Sequence, residues 1–151
     1  MAVIAVIGGS SVGSRVYSAA RLVGAEVAAK KCVLVCGGLS GVMEAAAKGA
    51  KENNGVTVGI LPGKSKKDAN KYIDIAVPTG IGEARNFAII NMADGVVAVD
   101  GKEGTLSEIA YTLKSGKPIA GIGTYDIKGI MKETDPKTAV DRVYKLIEGK
   151  K

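Results

Sequence analysis

Apolar runs and helical patterns alternate along the chain. Residues 2–7 are uniformly apolar, the pattern of a strand buried on both faces. Val12, Val16, Ala19, Ala20, Val23 and Val27 then recur at helical spacing. Residues 32–36 predict a second strand, 42–50 an alanine-rich helix, and 56–61 a third strand. A weaker strand is expected over 72–77, ending at Pro78. Helical spacing resumes from Glu83 to Met92, with Phe87, Ile90 and Ala93 on the apolar side. Strand 96–99, helix 105–115, strand 118–122 and a last helix over 136–148 follow. Pro136 occupies a first-turn position of that helix. Such alternation predicts a single α/β domain over residues 1–151, a doubly wound Rossmann-like parallel sheet with helices on both faces. Ligands of such sheets bind beyond the carboxyl ends of the strands, at the point where strand order reverses.

Three turns carry glycine and small polar residues between a strand and a helix. They are Gly8-Gly9-Ser10-Ser11, Gly37-Gly38-Leu39-Ser40-Gly41, and Asp100-Gly101-Lys102-Glu103-Gly104-Thr105. The first N–H groups of a helix lack intrahelical partners, and the dipole is positive there. Glycines let a ligand approach, which makes an anion site. If strand 96–99 pairs with strand 2–7, two of the turns face one crevice. Neither G-x-G-x-x-G nor G-x-x-x-x-G-K-[ST] is present. Glu108 lies one turn into the helix after the third turn. It has two readings: a polar group in a pocket, or the end of a Thr105-x-x-Glu108 capping box. Arg85 also has two, because a cation at a helix start needs an anion. That anion is either a ligand phosphate or Glu83. The lysine-bearing segment 62–71 reads as an anion-attracting lid or as a solvated loop.

Composition narrows the chemistry. The 151 residues suffice for one core that buries about two thirds of the unfolded surface. No apolar stretch is long enough to span a bilayer, and Met1-Ala2-Val3-Ile4 carries no basic leader, so the expectation is a cytoplasmic protein. Histidine is absent, which removes histidine-dependent triads and leaves no zinc set. Cys32 and Cys36 on one strand would stand roughly 13 Å apart, too far for a disulfide, so free buried thiols are expected. The net charge of +6 suits an anionic ligand. Aromatic residues make up 4% of the chain, too few for the stacking platforms of single-strand binding, so nucleic acid is not the expected partner.

Gly101-x-x-Gly104-Thr105-x-x-Glu108, with the Arg85 helix and Ala93-Asp94 before it, resembles the Pro-Gly-Gly-x-Gly-Thr-x-x-Glu signature of the LONELY GUY proteins. Closer still is the resemblance to the molybdenum cofactor carrier proteins and the Rossmann-like proteins related to DNA-processing protein A. It extends through Val6-Ile7-Gly8-Gly9-Ser10, residues 37–45, Gly59-Ile60-Leu61-Pro62-Gly63 and residues 79–86. The resemblance implies a Rossmann-like fold, a homo-oligomer (dimer or tetramer) and a phosphorylated ligand, either a nucleotide or molybdopterin. Ligand-binding positions are then Gly8, Gly9, Ser10, Ser11, Gly38, Gly41, Arg85, Asn86, Gly101, Lys102, Gly104 and Thr105, with no metal ligands. In the hydrolase branch, Arg85 and Glu108 match the pair that cleaves the N-glycosidic bond of nucleoside 5′-monophosphates. Asp100 stands for the signature proline, Lys102 for its second glycine, and Asn86 for a lysine. These departures resemble the carrier branch. The expected function is therefore phosphate-bearing nucleotide or pterin binding, with phosphoribohydrolase activity as the alternative.

Overall fold

Strands that are apolar throughout need cover on both faces, and the helices that follow them provide it. The structure, a computed structural model, describes residues 1–151. The elements are β1 (Val3–Gly8), α1 (Ser14–Ala29), β2 (Val33–Cys36), α2 (Val42–Glu52), β3 (Val56–Leu61), β4 (Ile75–Pro78), α3 (Arg85–Met92), β5 (Gly95–Val99), α4 (Glu103–Lys114), β6 (Ile119–Ile122), β7 (Met131–Glu133) and α5 (Pro136–Glu148). Short 3-10 turns lie at Lys66–Asp68 and Gly82–Ala84. The seven strands form one sheet in the order β4-β3-β2-β1-β5-β6-β7. All six pairings are parallel, giving the doubly wound Rossmann-like sheet that the alternation predicts.

The side-chain period of two splits the core into two layers. Ile4 and Val6 join Leu34, Cys36, Val97 and Val99 beneath α1, α2 and α5. Ala5 and Ile7 join Val35, Val58, Ile60, Val96 and Ala98 beneath α3 and α4. The helix after β1 thus covers one face and the helix after β5 covers the other. Strand order reverses between these two neighbours, and Gly8 pairs with Val99 so that both strands end level. A crevice opens where the two connections part.

Several boundaries differ from expectation. Helix α4 begins at Glu103, two residues before the predicted start. Strand β4 begins at Ile75, because Asp74 is bound sideways to Thr57: its Oδ2 accepts the Thr57 N–H at 3.0 Å. Strand β7 has too few apolar residues to be visible as a strand. Segment 62–71 is no lid. Asn70 Nδ2 donates to the Leu39 carbonyl at 2.8 Å, and Lys64, Lys66, Lys67 and Lys71 are exposed, away from the crevice. Cys32 and Cys36 are free and buried, and burial pushes the Cys36 thiol up to about 11. No helix is long and apolar enough to cross a membrane.

At the edge where strands begin, Lys117 closes α3. Its Nζ donates to the carbonyls of Ile90 (2.6 Å), Asn91 (3.1 Å) and Ala93 (2.7 Å), the last acceptors of that helix. Lys117→Met keeps the stem and removes all three bonds. The urea midpoint should fall by the equivalent of about 1–3 kcal/mol. An unchanged midpoint would show that water replaces the ammonium without cost.

Candidate functional site

The connections after β1 and β5 enclose a cavity of about 310 Å³. That is the size of a small-ligand site. Val6, Ile7 and Ile89, each almost fully buried, lie among its lining residues. Gly8, Gly9, Ser10, Ser11, Gly101, Lys102, Gly104 and Thr105 also line it, together with Arg85, Asn86 and Glu108. Gly38 and Gly41 do not line it. Gly38 packs on Leu61 and Gly59, and Gly41 packs on the backbone of Gly9 and Ser10. The β2–α2 turn still shapes the cavity, through Gly37, Leu39 and Met43. It also fastens the first turn: Ser40 Oγ donates to the Ser10 carbonyl at 2.7 Å and the Val42 N–H to that of Gly9 at 2.9 Å. The signal for Gly37 was its place directly after the apolar run, the residue that first clears a strand end. Asp100 and Glu83 complete the lining.

The helix starts here lack the usual side-chain caps. The residues preceding α1 and α4, Gly13 and Lys102, provide no capping bond. Helix α5, outside the cavity, is capped in the ordinary way, Asp135 Oδ2 accepting the Thr138 N–H at 2.9 Å. Of the two readings of Glu108, the capping box with Thr105 does not form. Gly101 adopts φ +108°, and a Cβ there would stand 2.4 Å from the Thr105 side chain. That turn lets the helix start at Glu103, so Thr105 is inside it and Glu108 faces the cavity.

Arg85 and Glu108 are each 8% exposed. Arg85 makes no ion pair with Glu83. Its Nη1 donates to Asn86 Oδ1, and its Nε is buried without a partner. Gly37 makes room for the guanidinium: a Cβ there would stand 2.8 Å from Arg85 Nη2. Arg85 and Glu108 feel each other electrostatically without forming an ion pair. Burial pushes the Glu108 carboxyl up to about 7, with Arg85 opposing and Glu83 adding to the rise. Burial likewise lowers the Arg85 guanidinium, with Glu108 opposing. No group of three or more His, Cys, Asp or Glu side chains is arranged to hold a metal ion.

This arrangement of sheet, switch point and turns matches known proteins along the whole chain. The family model described as the SLOG cluster4 family matches residues 1–147. The chain belongs to the SLOG cluster4 family. An uncharacterized protein of Archaeoglobus fulgidus is 47% identical over 120 residues, covering 79% of this chain and 78% of that protein. The molybdenum cofactor binding protein of Rippkaea orientalis superposes with a TM-score of 0.91 at 31% identity, covering 97% of both chains. The molybdenum cofactor carrier protein of Chlamydomonas reinhardtii gives a TM-score of 0.89 at 32% identity, covering 97% of this chain and 98% of that one.

The buried carboxyl of this SLOG cluster4 protein costs it stability in a defined pH window. With a folded value of about 7 against an ordinary 4.5, the native state holds more protons than the unfolded state between those values. Stability is fully present below the window and falls as pH rises through it. Glu108→Gln removes the penalty. The variant should match the wild type near pH 4.5 and melt roughly 5–10 °C higher at pH 8. Parallel melting profiles across this range would contradict a buried, unpartnered carboxyl.

Proposed function

We propose that this protein binds a phosphorylated pterin of the molybdopterin type and holds it without turning it over. The observation that carries this reading is the convergence of the Gly8–Ser11 turn and the uncapped start of α4 on a cavity that also holds Arg85, a buried arginine with no carboxylate partner. Unpaired N–H groups and a guanidinium attract negative oxygen. The two molybdenum cofactor-binding proteins of similar fold support the choice of ligand.

The residues present fit such a group. Ser10, Ser11, Gly104 and Lys102 would hold the phosphate, while Leu39, Met43 and Ile89 offer an aliphatic surface to the ring system. No cluster of metal-ligating side chains is present, so the chain would grip the organic part and carry the metal as cargo. The protein's partner is then a small molecule rather than a nucleic acid. We take it to act in the cytoplasm as a homo-oligomer, on the resemblance to the carrier proteins.

A second reading, nucleoside 5′-monophosphate phosphoribohydrolase, draws on Glu108. A cavity carboxyl near neutrality beside an arginine suits an oxocarbenium-like transition state. Water would add to the sugar carbon as the base departs with its electron pair and takes a proton.

One substitution tests the anion site. A Cβ at Gly104 meets nothing within 4 Å, so Gly104→Asp is sterically silent. Its carboxylate in the first turn of α4 favours the helix but opposes an anion. Calorimetry with molybdopterin should show binding weakened about tenfold or more, with the melting temperature unchanged or raised. Equal affinity would remove the helix start from the site. Wild-type protein incubated with nucleoside monophosphates should leave them intact. Release of free base, abolished by Glu108→Ala, would instead establish the hydrolase.

A further inference from the structure

The buried end of the cavity carries chemistry that a phosphate site does not need. Resting on the reading of this cavity as a pterin or nucleotide site, we propose that Glu108 and Arg85 together read the 2-amino-4-oxo-pyrimidine edge that pterins and guanine share. That edge presents two neighbouring N–H donors, on the ring nitrogen and the amino group, beside a carbonyl acceptor. A carboxylate only accepts and a guanidinium only donates. Glu108 has no protein donor on its carboxylate, and the Arg85 Nε has no acceptor. Both are 8% exposed and both line the cavity, yet they do not pair with each other.

Charge favours a neutral ring edge over a phosphate at this depth. A dianion drawn to Arg85 would also be set against Glu108, inside walls that screen poorly. A neutral edge satisfies both side chains and adds no charge. Leu39, Met43 and Ile89 give the cavity apolar lining that suits the face of a flat heterocycle. The phosphate of such a ligand would then lie toward Ser10, Ser11 and Gly104, between the turn after β1 and the uncapped start of α4. Adenine does not fit, because it sets a bare ring nitrogen beside its amino group, and a carboxylate repels that lone pair.

The test is isothermal titration calorimetry at pH 7.5, where most of the Glu108 carboxyl is ionised and the ring nitrogens of the probes keep their protons. The probes are guanosine, inosine and adenosine 5′-monophosphates, 2′-deoxyguanosine 5′-monophosphate and 6-hydroxymethylpterin. Inosine monophosphate lacks only the 2-amino group of its guanine counterpart. The guanine nucleotide should bind at least about tenfold tighter than the inosine and adenine nucleotides, and the pterin should bind too. Glu108→Gln should shrink the guanine-to-inosine gap below about threefold while circular dichroism stays native. Equal binding of guanosine and inosine monophosphates, unmoved by Glu108→Gln, overturns the edge assignment and leaves the anion site standing. A loss on removing the 2′-hydroxyl, with none on removing the amino group, assigns Glu108 to the sugar and also overturns it. Failure of every probe to bind folded wild-type protein removes the cavity reading itself, and the assignment with it.

Discussion

The reversal of strand order between β1 and β5 is the constraint on which the rest of this structure depends. Parallel strands need crossovers, and right-handed crossovers send α1 to one face and α4 to the other. At the reversal the two connections diverge and no side chain fills the gap between them. The pairing of Gly8 with Val99 makes both strands stop at one level, so the turn after β1 and the start of α4 face the same space. The cavity follows from topology, and the residues placed around it only select what enters.

Those residues are held in a conformation that is unfavourable without a ligand. Arg85 and Glu108 are buried close enough to influence each other but are not paired, so neither recovers its hydration through the other. Neighbours maintain the separation. Asn86 takes one end of the guanidinium, and the missing side chain of Gly37 gives it somewhere to lie. Polar groups left without partners in a concave site are a stability cost that a ligand can relieve. By contrast α5, with no role at the cavity, has both its proline and its aspartate cap in place. The molecule is ordinary where it is structural and under-satisfied where it faces the crevice.

Much of this was readable from residue order alone. Uniformly apolar runs located β1, β2, β3, β5 and β6, and Pro136 marked the start of α5. The alternation of elements placed three turns on one edge. What residue order leaves open has local physical causes. Thr105-x-x-Glu108 has the spacing of a capping box, but the φ of +108° at Gly101 starts α4 earlier and turns Glu108 toward the cavity. Pattern cannot show a backbone conformation that only the folded turn selects. Within Gly37-Gly38 it is Gly37, the first residue past the apolar run, that lines the cavity, while Gly38 packs on Leu61 and Gly59. The pairing behaviour of Arg85 was equally hidden, since an ion pair with Glu83 and burial against Gly37 demand the same sequence.

Nitrogen-15 resonances of the backbone amides give the most direct test of the central claim, that the Gly8–Ser11 turn and the unfilled start of α4 form a single anion site in the cavity that Arg85 also lines. The protein would be titrated with a phosphorylated pterin and followed by two-dimensional NMR. The account predicts saturable shifts at Ser10, Ser11, Gly104 and Thr105 and at the Arg85 side-chain Nε–H, with one dissociation constant, while Thr138 in the capped start of α5 stays still. Shifts spread over exposed lysines, or confined to one of the two connections with Arg85 unmoved, would contradict it.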